Sequence, residues 1–257
     1  MIAIIGGSGF SKYSFTDARN ALLVETEYGS VTVYEILLSG KKAYFLPRHG
    51  SGHTYPPHLI PYKANMMALK LLEVKRIYAT SAVGSINRNF KPGSIVLPDQ
   101  FLDFTKNRDH TLSSPGRVYH LDFSQPFCPE MAESLLKASA QLGIEVFSGG
   151  TYVVTEGPRF ETPAEIKAFE ILGGDLVGMT LVPECTLARE LGMCYVTIST
   201  VTNMAAGISE HKLTALEVEE MMAVMQDKII SLIESAASLL PEQRSCPCSS
   251  AFEGAEV

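Results

Sequence analysis

The segment Pro47-Arg48-His49-Gly50-Ser51-Gly52-His53 puts a guanidinium and two imidazoles on a glycine-rich loop, just after the apolar run Ala43-Tyr44-Phe45-Leu46. An arginine fork matches phosphate oxygens two at a time, and glycine lets backbone N–H groups approach an anion. His49 and His53 have the i,i+4 spacing that two zinc ligands would use on a helix. The intervening Gly-Ser-Gly and the following Pro56-Pro57 argue against that helix, and the glutamate of H-E-x-x-H is missing. Phosphate is the better-matched ligand, and no metal is expected.

Other polar groups also sit where apolar runs end. Gly6-Gly7-Ser8-Gly9-Phe10 follows Ile2–Ile5. It is not a dinucleotide fingerprint, because position 12 is lysine, and it lacks the Gly-Lys-Ser/Thr of a P-loop. It reads either as an anion-holding turn, with Ser8 adding a hydroxyl, or as a plain turn. Thr80-Ser81-Ala82-Val83-Gly84-Ser85 is a second such end. Thr155-Glu156-Gly157-Pro158-Arg159-Phe160-Glu161-Thr162 sets one aromatic among charges. Phe160 is suited to stack on a planar ligand and Glu161 to accept hydrogen bonds from it; the plainer reading is a helix N-terminus with an acidic first turn. Gly178-Met179-Thr180 and Thr202-Asn203-Met204-Ala205-Ala206-Gly207 complete the set. Asn203 suits either a base edge or a turn. There is no G-x-S-x-G.

These loops need elements to carry them. Strands are predicted at 2–5, 31–34, 36–38, 43–47, 76–81, 94–98, 152–155, 176–179 and 194–199. Helices are predicted at 62–72, 130–142, 163–172, 183–191 and 216–240. In the last, Val218, Met221, Met222, Met225, Ile229, Leu232, Ile233 and Ala236 recur at helical spacing. Thr162-Pro163 is a cap followed by a first-turn proline. Strands alternating with helices predict an α/β domain over residues 1–240, with 241–257 as a flexible tail.

Composition narrows the function classes. The 257 residues are 46% hydrophobic and 19% charged, with a net charge of −7. That is globular composition, and it disfavours a broad basic face for nucleic acid. No apolar run reaches the ~20 residues of a membrane span, and the N-terminus lacks a signal-peptide pattern. A cytoplasmic protein is expected. The five cysteines are too few and scattered for a disulfide scaffold. Cys128, Cys185 and Cys194 sit among apolar residues and read as buried thiols. Cys246-Pro247-Cys248 is a C-x-C pair in the tail; alone it cannot close a four-ligand zinc site, and it reads as a redox or disulfide feature or, in the favoured reading, as exposed tail cysteines with no catalytic role.

Seven ordered segments carry a resemblance: GGSGF, PRHGSGHTYPPHLIPYKAN, TSAVGSIN, VYHLDFSQPFCPE, TEGPRFETPAEI, GGDLVGMTLVPE and TVTNMAAGIS. Together, from Gly6 to about Val218, they resemble the trimeric-class purine nucleoside phosphorylases, in the branch that contains 5′-methylthioadenosine phosphorylase. The resemblance implies one α/β domain around a mixed, partly barrel-like sheet flanked by helices. It implies phosphorolysis, in which phosphate displaces a purine from C1′ of ribose, with no metal or organic cofactor. Ser8, Arg48, His49, Ser81 and Thr180 would hold the phosphate, and Ala82 would contribute its backbone. Phe160 would pack on the base, and Asn203 would donate near N7 as charge moves onto the purine. Met179 would lie against the ribose. His120 would reach the 5′ region of a neighbouring subunit, which implies a homotrimer or a dimer of trimers. Leu216 and Val218 would face the 5′ group.

The base readers depart from the adenosine-specific branch. That branch has aspartates where this chain has Asn203 and Ala205, and often a serine where this chain has Glu161. Asparagine can donate to O6 and N7, and glutamate can accept from N1–H, which adenine lacks. The expected substrates are therefore 6-oxopurine nucleosides (5′-methylthioinosine, inosine or guanosine), with 5′-methylthioadenosine as the alternative.

Overall fold

The computed structural model describes residues 1–7, 20–116, 118–209 and 211–255. In chain order the strands are β1 (Ile2–Gly6), β2 (Ala21–Thr26), β3 (Gly29–Leu38), β4 (Lys41–Pro47), β5 (Arg76–Ser85), β6 (Ile95–Leu97), β7 (Gln100–Asp103), β8 (Val146–Ser148), β9 (Thr151–Val154), β10 (Leu176–Gly178) and β11 (Cys194–Met204). The helices are α1 (Tyr62–Leu71), α2 (Pro129–Leu142), α3 (Pro163–Ile171), α4 (Leu181–Glu190) and α5 (Ala215–Leu239). Strands β5 and β11 are buried along almost their whole length, as strands covered on both faces must be. Apart from Arg76 and Asn203, their residues are accordingly apolar, glycine or hydroxyl-bearing.

All these strands join one mixed sheet, so the α/β architecture expected from the sequence is present. β5 is its branch point. Its first half pairs in parallel with β1, from Ile2↔Arg76 to Ile5↔Ala79. Its end pairs antiparallel with β10, at Val177↔Gly84 and Leu176↔Ser85. β11 runs parallel to β5 throughout. Between the β1 and β10 pairings, residues 80–83 pair with no strand on that side among the described residues. This opening at strand ends is where α/β sheets place ligand sites.

Helices α1 and α4 bury Met66, Leu69, Leu187 and Ala188 in the apolar layer on one face. Helices α2 and α5 bury Met131, Leu135, Met222, Ile229 and Ile233 on the other. The predicted cap at Thr162 is a full capping box: its side chain accepts from the Glu165 N–H, and the Glu165 carboxylate accepts from the Thr162 N–H. Among the described residues, no helix is long and apolar enough to cross a membrane.

Two features differ from expectation. Strands β2, β7 and β8 are absent from the sequence reading. Each is a half-exposed edge strand, and β7 and β8 are only 4 and 3 residues long. The C-terminal segment is not an exposed tail: Cys246 and Cys248 are 9% and 1% exposed, and Pro247–Ser250 forms a 3-10 turn. Polar anchors explain this. Ser245 donates through N–H and hydroxyl to Glu130, and Arg244 donates to the Gly192 carbonyl at 2.8 Å.

The approach of β10 to β9 requires glycine at position 178. A Cβ there would meet the Tyr152 hydroxyl at 2.0 Å. Gly178→Ala is expected to lower stability by ~1–3 kcal/mol through overpacking. In a Tyr152→Ala background the same change is expected to cost little. Denaturant melts of the four proteins measure this coupling, and an unchanged penalty in both backgrounds would contradict the close contact.

Candidate active site

The opening beside β5 leads into a cavity of about 250 Å³. Its polar end is built around Arg48, which follows β4. The guanidinium is 2% exposed. Its Nε and Nη2 donate to the two oxygens of Glu184 at 2.7 and 2.8 Å, and Nη1 donates to the Thr80 carbonyl at 2.7 Å. Burial alone would lower its pKa; Glu184 outweighs that and holds the group charged, above the ordinary arginine value. Glu184 also accepts from the Tyr195 hydroxyl at 2.7 Å. An arginine has five N–H donors, and among the described residues three of these are used. Gly7 is packed against this fork: a Cβ there would meet Nη1 at 2.9 Å.

His49 sits beside it, with its Nδ1 2.8 Å from the Tyr55 carbonyl. That contact makes Nδ1 the protonated nitrogen of a neutral ring and leaves Nε2 as an acceptor. Desolvation, more than the Tyr55 contact offsets, drives its pKa down to about 3, with Arg48 and His53 adding repulsion. The His53 ring stacks on it, with centroids 4.1 Å apart. The floor is a set of hydroxyls: Ser81 lies 3.3 Å from Thr197 and 3.1 Å from Ser199, two residues of one face of β11. Among the described residues the buried Tyr152 hydroxyl makes no close hydrogen bond, and its neighbours include Ser81 and Thr180.

The other end is less charged. The pairing of β11 with β5 shifts between Val201 and Asn203. Such a bulge re-aims the side chains that follow it, and Thr202 and Asn203 both line the cavity. The Asn203 carbonyl oxygen accepts from the Thr202 hydroxyl at 2.8 Å, while its Nδ2 donates to the Met204 carbonyl at 3.0 Å. The Thr202 bond fixes the amide's orientation, and the second N–H of Nδ2 is left to offer. Gly84 leaves it room, since a Cβ there would lie 3.3 Å from Nδ2. Glu161 faces the same space. Burial pushes its pKa above the ordinary carboxylate value, against the opposing hydrogen bond from Thr155 at 2.6 Å.

Arg108 holds the two loops of this end together. Its Nη1 donates to the carbonyls of Met179 and Val182, each at 2.7 Å, and its Nη2 to those of Thr155 and Glu156 at 3.2 and 2.8 Å.

Of the residues singled out from sequence, Arg48, His49, Ser81, Ala82, Phe160, Glu161, Met179, Thr180, Asn203, Ala205 and Val218 line this one cavity. Ser8 lies outside the described residues. His120 is exposed and away from the cavity, its N–H donating to the Ala255 carbonyl. Leu216 is a correction: it is 63% exposed and does not line the cavity. The inward face of α5 is Ala215, Val218, Glu219 and Met222, at spacings of three and four, and Leu216 is one residue out of phase. Glu184 and Arg108 were missed; each reads in sequence as an ordinary charged residue, and only the fold gives it buried partners.

A phosphate-sized cationic corner, an amide donor and a carboxylate acceptor in one cleft are what a nucleoside and phosphate would need. Known proteins agree with that geometry. The probable 6-oxopurine nucleoside phosphorylase of Dictyoglomus turgidum is 50% identical over 254 residues, spanning 98% of this chain and 96% of that one. The probable S-methyl-5′-thioinosine phosphorylase of Methanopyrus kandleri is 49% identical, spanning 100% and 99%. The crystal structure of a methylthioadenosine phosphorylase from an Antarctic soil metagenomic library superposes with a TM-score of 0.90 at 36% identity, covering 100% of this chain and 92% of that one. With residues 1–238 matched to the family as a whole, the chain belongs to the phosphorylase superfamily.

Proposed function

We propose that this protein cleaves the N-glycosidic bond of 6-oxopurine nucleosides with phosphate, releasing the purine and a ribose 1-phosphate. The observation that carries this reading is the pairing of Asn203, as a donor, with Glu161, as an acceptor, in a cavity whose far corner is the Arg48 fork. A 6-oxopurine presents O6 and N7 acceptors beside an N1–H donor, which matches that pair; an adenine does not.

Phosphate is placed by the two N–H groups of Arg48 that Glu184 and Thr80 leave, the Ser81 and Thr180 hydroxyls, and the Ala82 backbone. Neutral His49 accepts a hydrogen bond from a phosphate hydroxyl at Nε2 and does not take its proton, because its pKa is driven down to about 3. A phosphate oxygen forms the new bond to C1′ as the C1′–N9 bond breaks, and that bond's electron pair moves onto the purine. The Asn203 N–H meets this charge at N7, an interaction stronger in the transition state than in the substrate. Holding both reactants in one closed site supplies the rest by orientation. Phosphate is the co-substrate, and the steps as drawn use no metal or organic cofactor.

Leu213, Ala215, Val218 and Met222 make an apolar wall. That wall supports a methylthio group at the 5′ position, and it leaves inosine and guanosine as substrates. The exposed position of His120, away from its own cavity, supports its service to a neighbouring subunit in a homotrimer or a dimer of trimers.

In an equimolar mixture of inosine, 5′-methylthioinosine and 5′-methylthioadenosine with phosphate, a 6-oxopurine nucleoside is expected to disappear first, with hypoxanthine accumulating. The Asn203→Asp/Ala205→Asp variant is expected to shift the ratio of rates at least ~10-fold towards methylthioadenosine, because a site built for one pattern of donors rejects the other. Prior loss of methylthioadenosine by the wild type would overturn the base reading, and absence of any phosphate-dependent cleavage would overturn the proposal.

The raised pKa of Glu161 gives a second test. The ionised carboxylate is the stronger acceptor for N1–H and cannot donate, whereas the protonated form can donate to N1 of adenine. The ratio of kcat/KM for inosine over methylthioadenosine is therefore expected to fall as pH drops through that raised value. Taking the ratio cancels the ionisation of phosphate. In Glu161→Gln the ratio is expected to lose its pH dependence; a titration persisting in the variant would assign it to another group.

A further inference from the structure

Four of the five cysteines converge outside the nucleoside cavity. Cys128 is the residue capping the N-terminus of α2, Cys194 is the first residue of β11, and Cys246 and Cys248 flank Pro247 in the C-terminal segment. Three separate stretches of chain thus deliver four thiols to one point. All are buried, and their sulfurs lie within 4.8 Å of one another. None is disulfide-bonded; the Cys194–Cys246 sulfur separation is 3.3 Å. The fifth, Cys185, is directed elsewhere, to the Pro126 carbonyl.

These separations suit a metal better than a covalent pair. A disulfide needs sulfurs ~2.05 Å apart. Four thiolates at ~2.3 Å from a tetrahedral zinc have sulfur–sulfur edges of ~3.8 Å. The surroundings also suit the bound form. Arg244 Nη1 lies 3.8 Å from the Cys194 sulfur while it donates to Gly192, which sets a fixed positive charge beside the cluster. The sulfur of Cys128 lies at a helix N-terminus, which favours a thiolate. The apolar layer around α2 and α5 keeps water out. Just before the pair, the two Ser245 hydrogen bonds to Glu130, itself paired with Arg76 at 3.0 Å, fix the approach of the chain.

We propose that Cys128, Cys194, Cys246 and Cys248 bind one tetrahedral divalent metal ion of the zinc class, which fastens the C-terminal segment to the start of β11 and α2. Binding replaces four S–H bonds by four metal–sulfur bonds, releases up to four protons to solvent, and leaves a complex of net charge 2−. Its role is structural, because none of the four cysteines lines the nucleoside cavity. The C-x-C pair supplies only two ligands, so the sequence alone leaves the site incomplete.

The test uses full-length protein expressed with added zinc and purified under reducing, oxygen-free conditions. Elemental analysis is expected to find about one metal ion per chain. Thiol titration after denaturation in chelator is expected to find all five cysteines reduced. Adding Co²⁺ to the reduced, metal-free wild type is expected to give the intense visible bands of a cobalt tetrathiolate, a readout that does not depend on a variant folding. Cys246→Ser/Cys248→Ser is expected to lose the metal, melt at a lower temperature and keep its nucleoside cleavage. Iron bound at the same stoichiometry would support the site and identify the ion. Two outcomes overturn the proposal: no metal and no cobalt bands from the reduced protein, or a single free thiol with a mass four hydrogens low, which marks two disulfides in its place.

Discussion

The buried pair of Arg48 and Glu184 is the constraint on which the rest of the site depends. Bringing a guanidinium to 2% exposure carries a large desolvation cost, which a bidentate carboxylate with good geometry offsets. The pair is more useful than strong. Glu184 and Thr80 take three of the five N–H groups, and the two left over have a fixed direction. A free arginine on a glycine loop would have to be ordered by a ligand; this one is already ordered by Glu184 and Thr80. The same arrangement shapes its neighbours. Gly7 leaves no side chain against the fork, Tyr195 steadies Glu184 from below, and the charge of Arg48 helps keep His49 neutral.

The sheet delivers the other half of the cavity by diverging. β1 leaves β5 after Ala79, and β10 joins only at Gly84. The gap exposes the Thr80–Val83 edge to the cleft. β11 follows β5 through the gap, and the shift after Val201 turns Asn203 into it. Arg108 then ties the carbonyls of the loops after β9 and β10 to one guanidinium, so that the segments leading to Glu161 and Met179 are held together. A cationic corner, a donor and an acceptor are thus set by backbone pairing and buried charge.

Much of this was legible in the residues. Glycine and hydroxyl loops after apolar runs marked the strand ends, the methionine and isoleucine periodicity marked α5, and Thr162-Pro163 marked the start of α3. What was not legible required long-range geometry. Glu184 reads as one more helix glutamate until β4 brings Arg48 against it. Arg108 lies in an irregular loop whose sequence gives no hint of the carbonyls it meets. Leu216 was assigned to the wrong side of α5 because an apolar residue near a helix start fits either face until the phase is known. Strands β7 and β8 are too short and too exposed to show a period. The C-x-C segment looked exposed because its anchors, Glu130 and Gly192, are remote in sequence.

The central claim is that phosphate is held by the fork left over after Glu184 and Thr80 are satisfied, and not by positive charge alone. Calorimetric titration of phosphate into Arg48→Lys, with nucleoside binding measured alongside, tests it most directly. A lysine ammonium is a compact point charge that Glu184 would capture, with no second pair of donors to offer. The account predicts phosphate affinity weakened by ~100-fold or more, about 2.7 kcal/mol, with nucleoside affinity within a few-fold of wild type. Wild-type phosphate affinity in Arg48→Lys would contradict it.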